Sequence, residues 1–219
     1  MNLEDIAGIA HAPDGDPLGV VVLTHGAGGS RESPLLVRIC DEWARRGYLA
    51  VRYNLPYRRR RPKGPPSGSQ AADRDGIVEA VALARTLCDG PVIAGGHSYG
   101  GRQTSMVVGE AGDERLREEH RAGGPTLDVL TLFSYPLHPP GKPERARTEH
   151  LPGITVPTVF THGTADPFGS IAELRDAVTL IPAATEIVEV TGARHDLGSR
   201  SLDVPVLAVD AALRLLATR

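Results

Sequence analysis

Ser98 stands at the centre of Gly96-His97-Ser98-Tyr99-Gly100, a G-x-S-x-G pentapeptide. A serine hydroxyl is a poor nucleophile at neutral pH. It needs a base to take its proton and a third group to hold that base in one tautomer. Two residues further along offer those roles, in the order serine, carboxylate, histidine in which such triads can occur. Asp166 lies in THGTADPFG (161–169), and His195 lies in TGARHDLG (191–198). Together they point to attack on an acyl carbonyl, with His195 relaying the proton and Asp166 orienting the ring. Each has a simpler reading on its own: Asp166 as a turn former or a helix N-terminal acid, His195 as an exposed loop residue. Asp196 adjoins His195 but is the weaker candidate for the acid. His162 ends a strand and reads as structural.

Acyl transfer also needs two N–H groups fixed around the developing oxyanion, each worth about 3–4 kcal/mol. The amide of Tyr99, just after the serine, is one. The other is expected from THGAGGSRES (24–33), whose small residues can bend close to the serine. We assign it to Ala27, with Gly28 as the fallback. A phosphate-binding loop fits this segment less well, since it has neither a Walker lysine nor a G-x-G-x-x-G spacing. His25, His97, Tyr135 and His138 are candidate pocket residues, His97 with packing as its alternative.

These residues need elements to position them. Pro91 to Gly95 reads as a strand and 99–110 as a helix, so Ser98 falls on a tight strand-to-helix turn. Only small neighbours fit around such a turn, and Gly96 and Gly100 supply the room. Strands are expected at Leu18–Thr24, Leu49–Tyr53, Leu127–Phe133, Pro157–Thr161 and Glu186–Val190. Helices are expected at Ser33–Arg46, with Ser33 as N-cap, Pro34 at the first position and Gly47 as the stop. Others follow at Ala71–Leu87, Ser170–Leu180 and Val204–Ala217. This alternation predicts a single α/β domain over 1–219, a mostly parallel sheet covered by helices on both faces. Ser98, Asp166 and His195 then fall at three strand ends on one edge, where ligands bind in open parallel sheets. The long segments 54–70 and 134–156 should lie at the same edge. The stiff run Tyr135-Pro136-Leu137-His138-Pro139-Pro140 would wall an acyl pocket, cover the core edge, or do both. The segment 111–126 is too short for a helical lid.

Composition excludes some classes. A formal net charge of −3 gives no global push toward nucleic acid or membrane. The run Arg58-Arg59-Arg60-Arg61-Pro62-Lys63 reads as a solvated loop or an anion-attracting rim, and is too short to argue for nucleic acid. No apolar run reaches the ~20 residues that span a bilayer, and the N-terminus lacks signal-peptide features. Cys40 and Cys88 read as thiols rather than a disulfide, which points to a reducing cytoplasm. No metal or cofactor is expected.

From about Gly19 onward the chain resembles compact α/β-hydrolases of the dienelactone-hydrolase-like clan. It is most similar to the group holding the testis-expressed-30-like proteins and the hydrolase-like domain of the third subunit of the NSL chromatin complex. The carrying motifs are THGAGG (24–29), RYNLPYRRRRP (52–62), GGHSYGGR (95–102) and SYPLHPPGKPERARTEHLP (134–152). The resemblance implies an α/β-hydrolase fold without a large cap, a Ser98 nucleophile, an Asp166 acid and a His195 base. Many bacterial relatives carry Arg and Met where this chain has His97 and Tyr99. Dienelactone hydrolases use cysteine as nucleophile, so their substrate does not carry over.

The expectation is therefore a serine hydrolase of small esters or thioesters. The rival is a non-catalytic interaction module on the same fold, as the chromatin-complex relative implies. An imidazole base makes activity fall as pH drops through the imidazole range, about 6.5 for a free side chain.

Overall fold

A computed structural model describes residues 2–66, 70–109, 127–198 and 203–218. Seven strands form one sheet in the order β1-β3-β2-β4-β5-β6-β7. They are β1 (Gly8–His11), β2 (Val20–Thr24), β3 (Leu49–Tyr53), β4 (Val92–His97), β5 (Val129–Phe133), β6 (Thr158–Gly163) and β7 (Thr185–Val190). All neighbours pair in parallel except β1, which joins β3 antiparallel at the edge. The helices are α1 (Pro34–Arg45), α2 (Pro56–Arg60), α3 (Gln70–Leu87), α4 (Tyr99–Gly109), α5 (Ile171–Val178) and α6 (Val204–Leu216).

The central strands are apolar on both sides because both sides are covered. Along β2, Val20 and Val22 enter one core with Ile77 of α3 and Val107 of α4, while Val21 and Leu23 enter the other with Leu36 of α1 and Val209 of α6. Period-2 alternation thus feeds two cores at once. The fold is an α/β hydrolase fold, and no large cap stands over the sheet edge among the described residues. The expected lid-free segment 111–126 lies outside them.

Several local expectations changed. Ser33 sits at the N-cap of α1, but its side chain makes no capping bond. Its carbonyl instead accepts the first helical bond from Val37 N–H at 3.0 Å, and Pro34 fixes the first turn. Gly47 does stop the helix, at φ +87°. Strand β1 and helix α2 were not expected. The first is four residues long and half-exposed, and the second lies inside the segment read as irregular. The 134–156 segment contains two short 3-10 turns, Pro143–Arg145 and Leu151–Gly153. Cys88 falls just past α3, and both cysteines are free thiols.

Candidate active site

Ser98 follows β4 directly and opens α4. Its backbone is left-handed, φ +50°, a conformation that strains any residue with a side chain. The backbones around it approach closely. A Cβ at Gly96 would lie 2.5 Å from the Thr24 carbonyl oxygen, and one at Gly100 would lie 2.5 Å from that of His25. The glycines therefore let the turn press against the loop after β2.

The three residues predicted to cooperate meet. His195 Nε2 lies 2.7 Å from Ser98 Oγ. Its Nδ1 lies 3.0 and 2.8 Å from the two carboxylate oxygens of Asp166. Ser98 is held by β4, Asp166 by the loop after β6, and His195 by the loop after β7. Parallel pairing brings those strand ends to one edge. Asp166 is buried and also accepts the Phe168 N–H at 2.9 Å. Burial pushes its pKa up, but the hydrogen bonds from His195 and Phe168 outweigh that and hold it below the usual carboxylate value. Asp166 does not serve as a helix N-terminal acid. Ser170 and Glu173 close a reciprocal capping box on α5 instead. Asp196 is exposed and turns to the Gly198 N–H at 3.1 Å.

With Asp166 as acceptor, His195 Nδ1 carries the proton and Nε2 is free to accept one from Ser98. Two further side chains set that ring. His97 Nε2 donates to the His195 carbonyl at 2.8 Å, and the Phe168 ring stacks on the imidazole with centroids 4.2 Å apart. Burial lowers the His97 pKa, which favours the neutral ring. Phe168 was missed from sequence, though its place two residues after Asp166 in the Asp-Pro-Phe turn is a usable signal. Between its two readings, His97 takes the packing one. Among the described residues, no backbone carbonyl outside the regular elements accepts from the Ala27 or Tyr99 amide.

The other candidates, His25, Tyr135 and His138, are buried and bonded to the protein's own backbone. His25 is fully buried. Its Nδ1 donates to Gly26 O at 2.9 Å and its Nε2 accepts the Leu55 N–H at 3.3 Å. Tyr135 is buried and donates to Arg147 O at 2.6 Å. His138 is buried, bonded to Pro139 O at 2.8 Å and near Glu173 at 3.4 Å. The first secures a loop to the next strand end. The other two hold the 134–152 segment to itself and to α5. His162 is buried with Nε2 donating to Gly169 O at 2.8 Å, as a structural residue would. The basic run divides: Arg59, Arg60, Arg61 and Lys63 are exposed, whereas Arg58 is 4% exposed and turned inward. No described helix is long and apolar enough to cross a membrane.

Comparison with solved structures shows the same fold. A dienelactone hydrolase from Anabaena variabilis matches with TM-score 0.65 at 20% identity, over 95% of this chain and 88% of that one. Est1E from Butyrivibrio proteoclasticus, solved with ferulic acid bound, matches with TM-score 0.70 at 14% identity, over 96% and 94%. XC6422 from Xanthomonas campestris, described as an α/β serine hydrolase without a lid, matches with TM-score 0.61 at 17% identity, over 94% and 88%. The model of the alpha/beta hydrolase domain matches residues 17–204. By that match the chain belongs to the alpha/beta hydrolase domain family.

Proposed function

We propose that this protein is a serine hydrolase of small esters or thioesters. One observation carries the reading: an unbroken hydrogen-bonded relay from Asp166 through His195 to Ser98, on a strained turn. His195 Nε2 takes the hydroxyl proton as Ser98 Oγ attacks the carbonyl carbon. The tetrahedral oxyanion is held by the Ala27 and Tyr99 amides. His195 then delivers its proton to the leaving alcohol or thiol, and an acyl-serine remains. Water repeats the sequence and regenerates the hydroxyl. An interaction module has no need of this constellation. The neighbours named above as hydrolases agree with it. The motifs at 52–62 and 134–152 support a finer placement beside the testis-expressed-30-like group, and the free thiols support a reducing, cytoplasmic setting.

A fluorophosphonate probe should label the wild-type protein and fail on Ser98→Ala. The same pair should separate on p-nitrophenyl acetate and butyrate, with a fall in kcat of about 10⁴-fold or more in the variant. Labelling that persists in Ser98→Ala would remove Ser98 from the mechanism. A wild type inert to both probe and esters would favour the interaction module.

A further inference from the structure

The motif RYNLPYRRRRP contributes more than a solvated loop. Tyr57 and Arg58 of α2 reach under the loop after β2. Tyr57 OH donates to Ala27 O at 2.8 Å and lies 3.2 Å from Gly26 O. Arg58 Nε donates to Gly29 O at 2.7 Å, and its Nη2 donates to Ala27 O at 3.2 Å and to Gly64 O at 2.9 Å. Its Nη1 donates to Arg61 O at 3.1 Å. These bonds from the buried guanidinium all end on backbone carbonyls. Those of Ala27 and Gly29 belong to the loop after β2, and those of Arg61 and Gly64 lie just past α2. Burying a cation costs several kcal/mol unless its donors are satisfied, and here the carbonyls satisfy them.

The consequence follows from peptide geometry. The described backbone has no cis bond, and in a trans peptide N–H points opposite to C=O. Gly26 O accepts from His25 Nδ1 at 2.9 Å and from the Gly29 N–H at 3.0 Å, with Tyr57 OH packed against it, and so the Ala27 N–H turns away from the brace. The bonds from Tyr57 and Arg58 to Ala27 O do the same for the Gly28 N–H. Two successive amides then face one side, an arrangement that suits an anion. The loop stands beside the nucleophile, since a Cβ at Gly26 would be 3.4 Å from Ser98 Cβ. Asp73 of α3 completes the connection. It is 2% exposed; its Oδ1 accepts the Tyr57 N–H at 2.9 Å and its Oδ2 accepts the Tyr99 hydroxyl at 2.8 Å. One carboxylate therefore links the brace to the residue that carries the other oxyanion amide.

We propose that Tyr57, Arg58 and Asp73 are positioning residues that preorganise the oxyanion-binding amides of Ala27 and Tyr99. The proposal rests on the hydrolase reading. A three-glycine loop left to itself would sample many conformations, and a misplacement near 1 Å can cost about 10²-fold in rate.

Tyr57→Phe removes only the hydroxyl, and Arg58→Lys keeps the charge but loses the fork. On p-nitrophenyl acetate, kcat/KM should fall about 10- to 100-fold in each, chiefly through kcat. The inhibition constant of an alkyl trifluoromethyl ketone, whose adduct with Ser98 carries an oxyanion, should rise by the same factor. The pH midpoint should stay in place, because the imidazole relay is untouched. If Arg58→Lys does not fold, Tyr57→Phe decides alone. An active wild type beside a Tyr57→Phe variant within twofold of it in kcat/KM overturns the proposal. So does a loss of kcat without the matching loss of ketone affinity. An inert wild type overturns the hydrolase reading beneath it.

Discussion

Asp166 keeps its charge inside the protein because donors surround it, and in the relay we propose that charge would stabilise His195 when it becomes positive. Asp166→Asn keeps the shape while presenting an amide N–H to His195 Nδ1, which favours the tautomer that cannot accept from Ser98. We expect kcat on p-nitrophenyl butyrate to fall on the order of 10³- to 10⁴-fold with KM little changed. A variant within tenfold of wild type would count against Asp166 as the orienting acid. At this scale the sequence was readable where chemistry demands an order of residue types, as at Ser98, Asp166 and His195. It was silent where a side chain had a choice of direction. His25 and Tyr135 stand within two residues of a strand end and His138 further along the loop after β5, yet each turns inward to satisfy a backbone group. The backbone bond of His97 was hidden for the opposite reason, being a contact between distant segments that no local spacing encodes, whereas Phe168 had a local signal in its place two residues after Asp166.

The turn at Ser98 depends on how closely α4 can approach β4 and β2. A Cβ at Gly101 would fall 2.4 Å from Gly96 O, against backbone that cannot move aside. Gly101→Ala should therefore destabilise by about 1–3 kcal/mol through overpacking, read from urea midpoints. Gly28 has open space around it, so Gly28→Ala should stay within about 0.5 kcal/mol of wild type. Equal effects at the two sites would refute close packing as the reason for the glycines. Elements with strong periodicity were legible from sequence: β2 and β4 as apolar runs, α1 from its apolar face and Pro34. Strand β1 was not, because four half-exposed residues on an edge carry little pattern. Helix α2 was hidden by its own composition. A charged run usually marks a solvated loop, and only the tertiary contacts of Tyr57 and Arg58 make this one an internal element.

Across the whole molecule, buried imidazoles link stability to pH. His25 donates from Nδ1 and accepts at Nε2, so a second proton would break its bond from Leu55. Burial, with the nearby Arg58 charge, lowers its pKa to about 4. His150 packs beside Ser105 at 2.8 Å, and burial with the Arg102 charge lowers its pKa to about 4 as well. Burial shifts His97 in the same direction. In the unfolded chain a histidine titrates near ~6.5. Between that value and about 4 the unfolded state holds more of these protons, so stability rises with pH across the window. It is fully present above the unfolded value and is lost progressively as pH falls toward 4. Each tenfold loss of proton affinity on folding is worth about 1.4 kcal/mol per ring. Urea midpoints should therefore drop steeply from pH 7 to pH 5. The slope should flatten in His150→Asn, which removes one of the contributing groups even though the variant is less stable at pH 7. A wild-type midpoint that does not change over that range would mean that these rings bind protons as readily in the fold as in the unfolded chain, and that burial does not shift them.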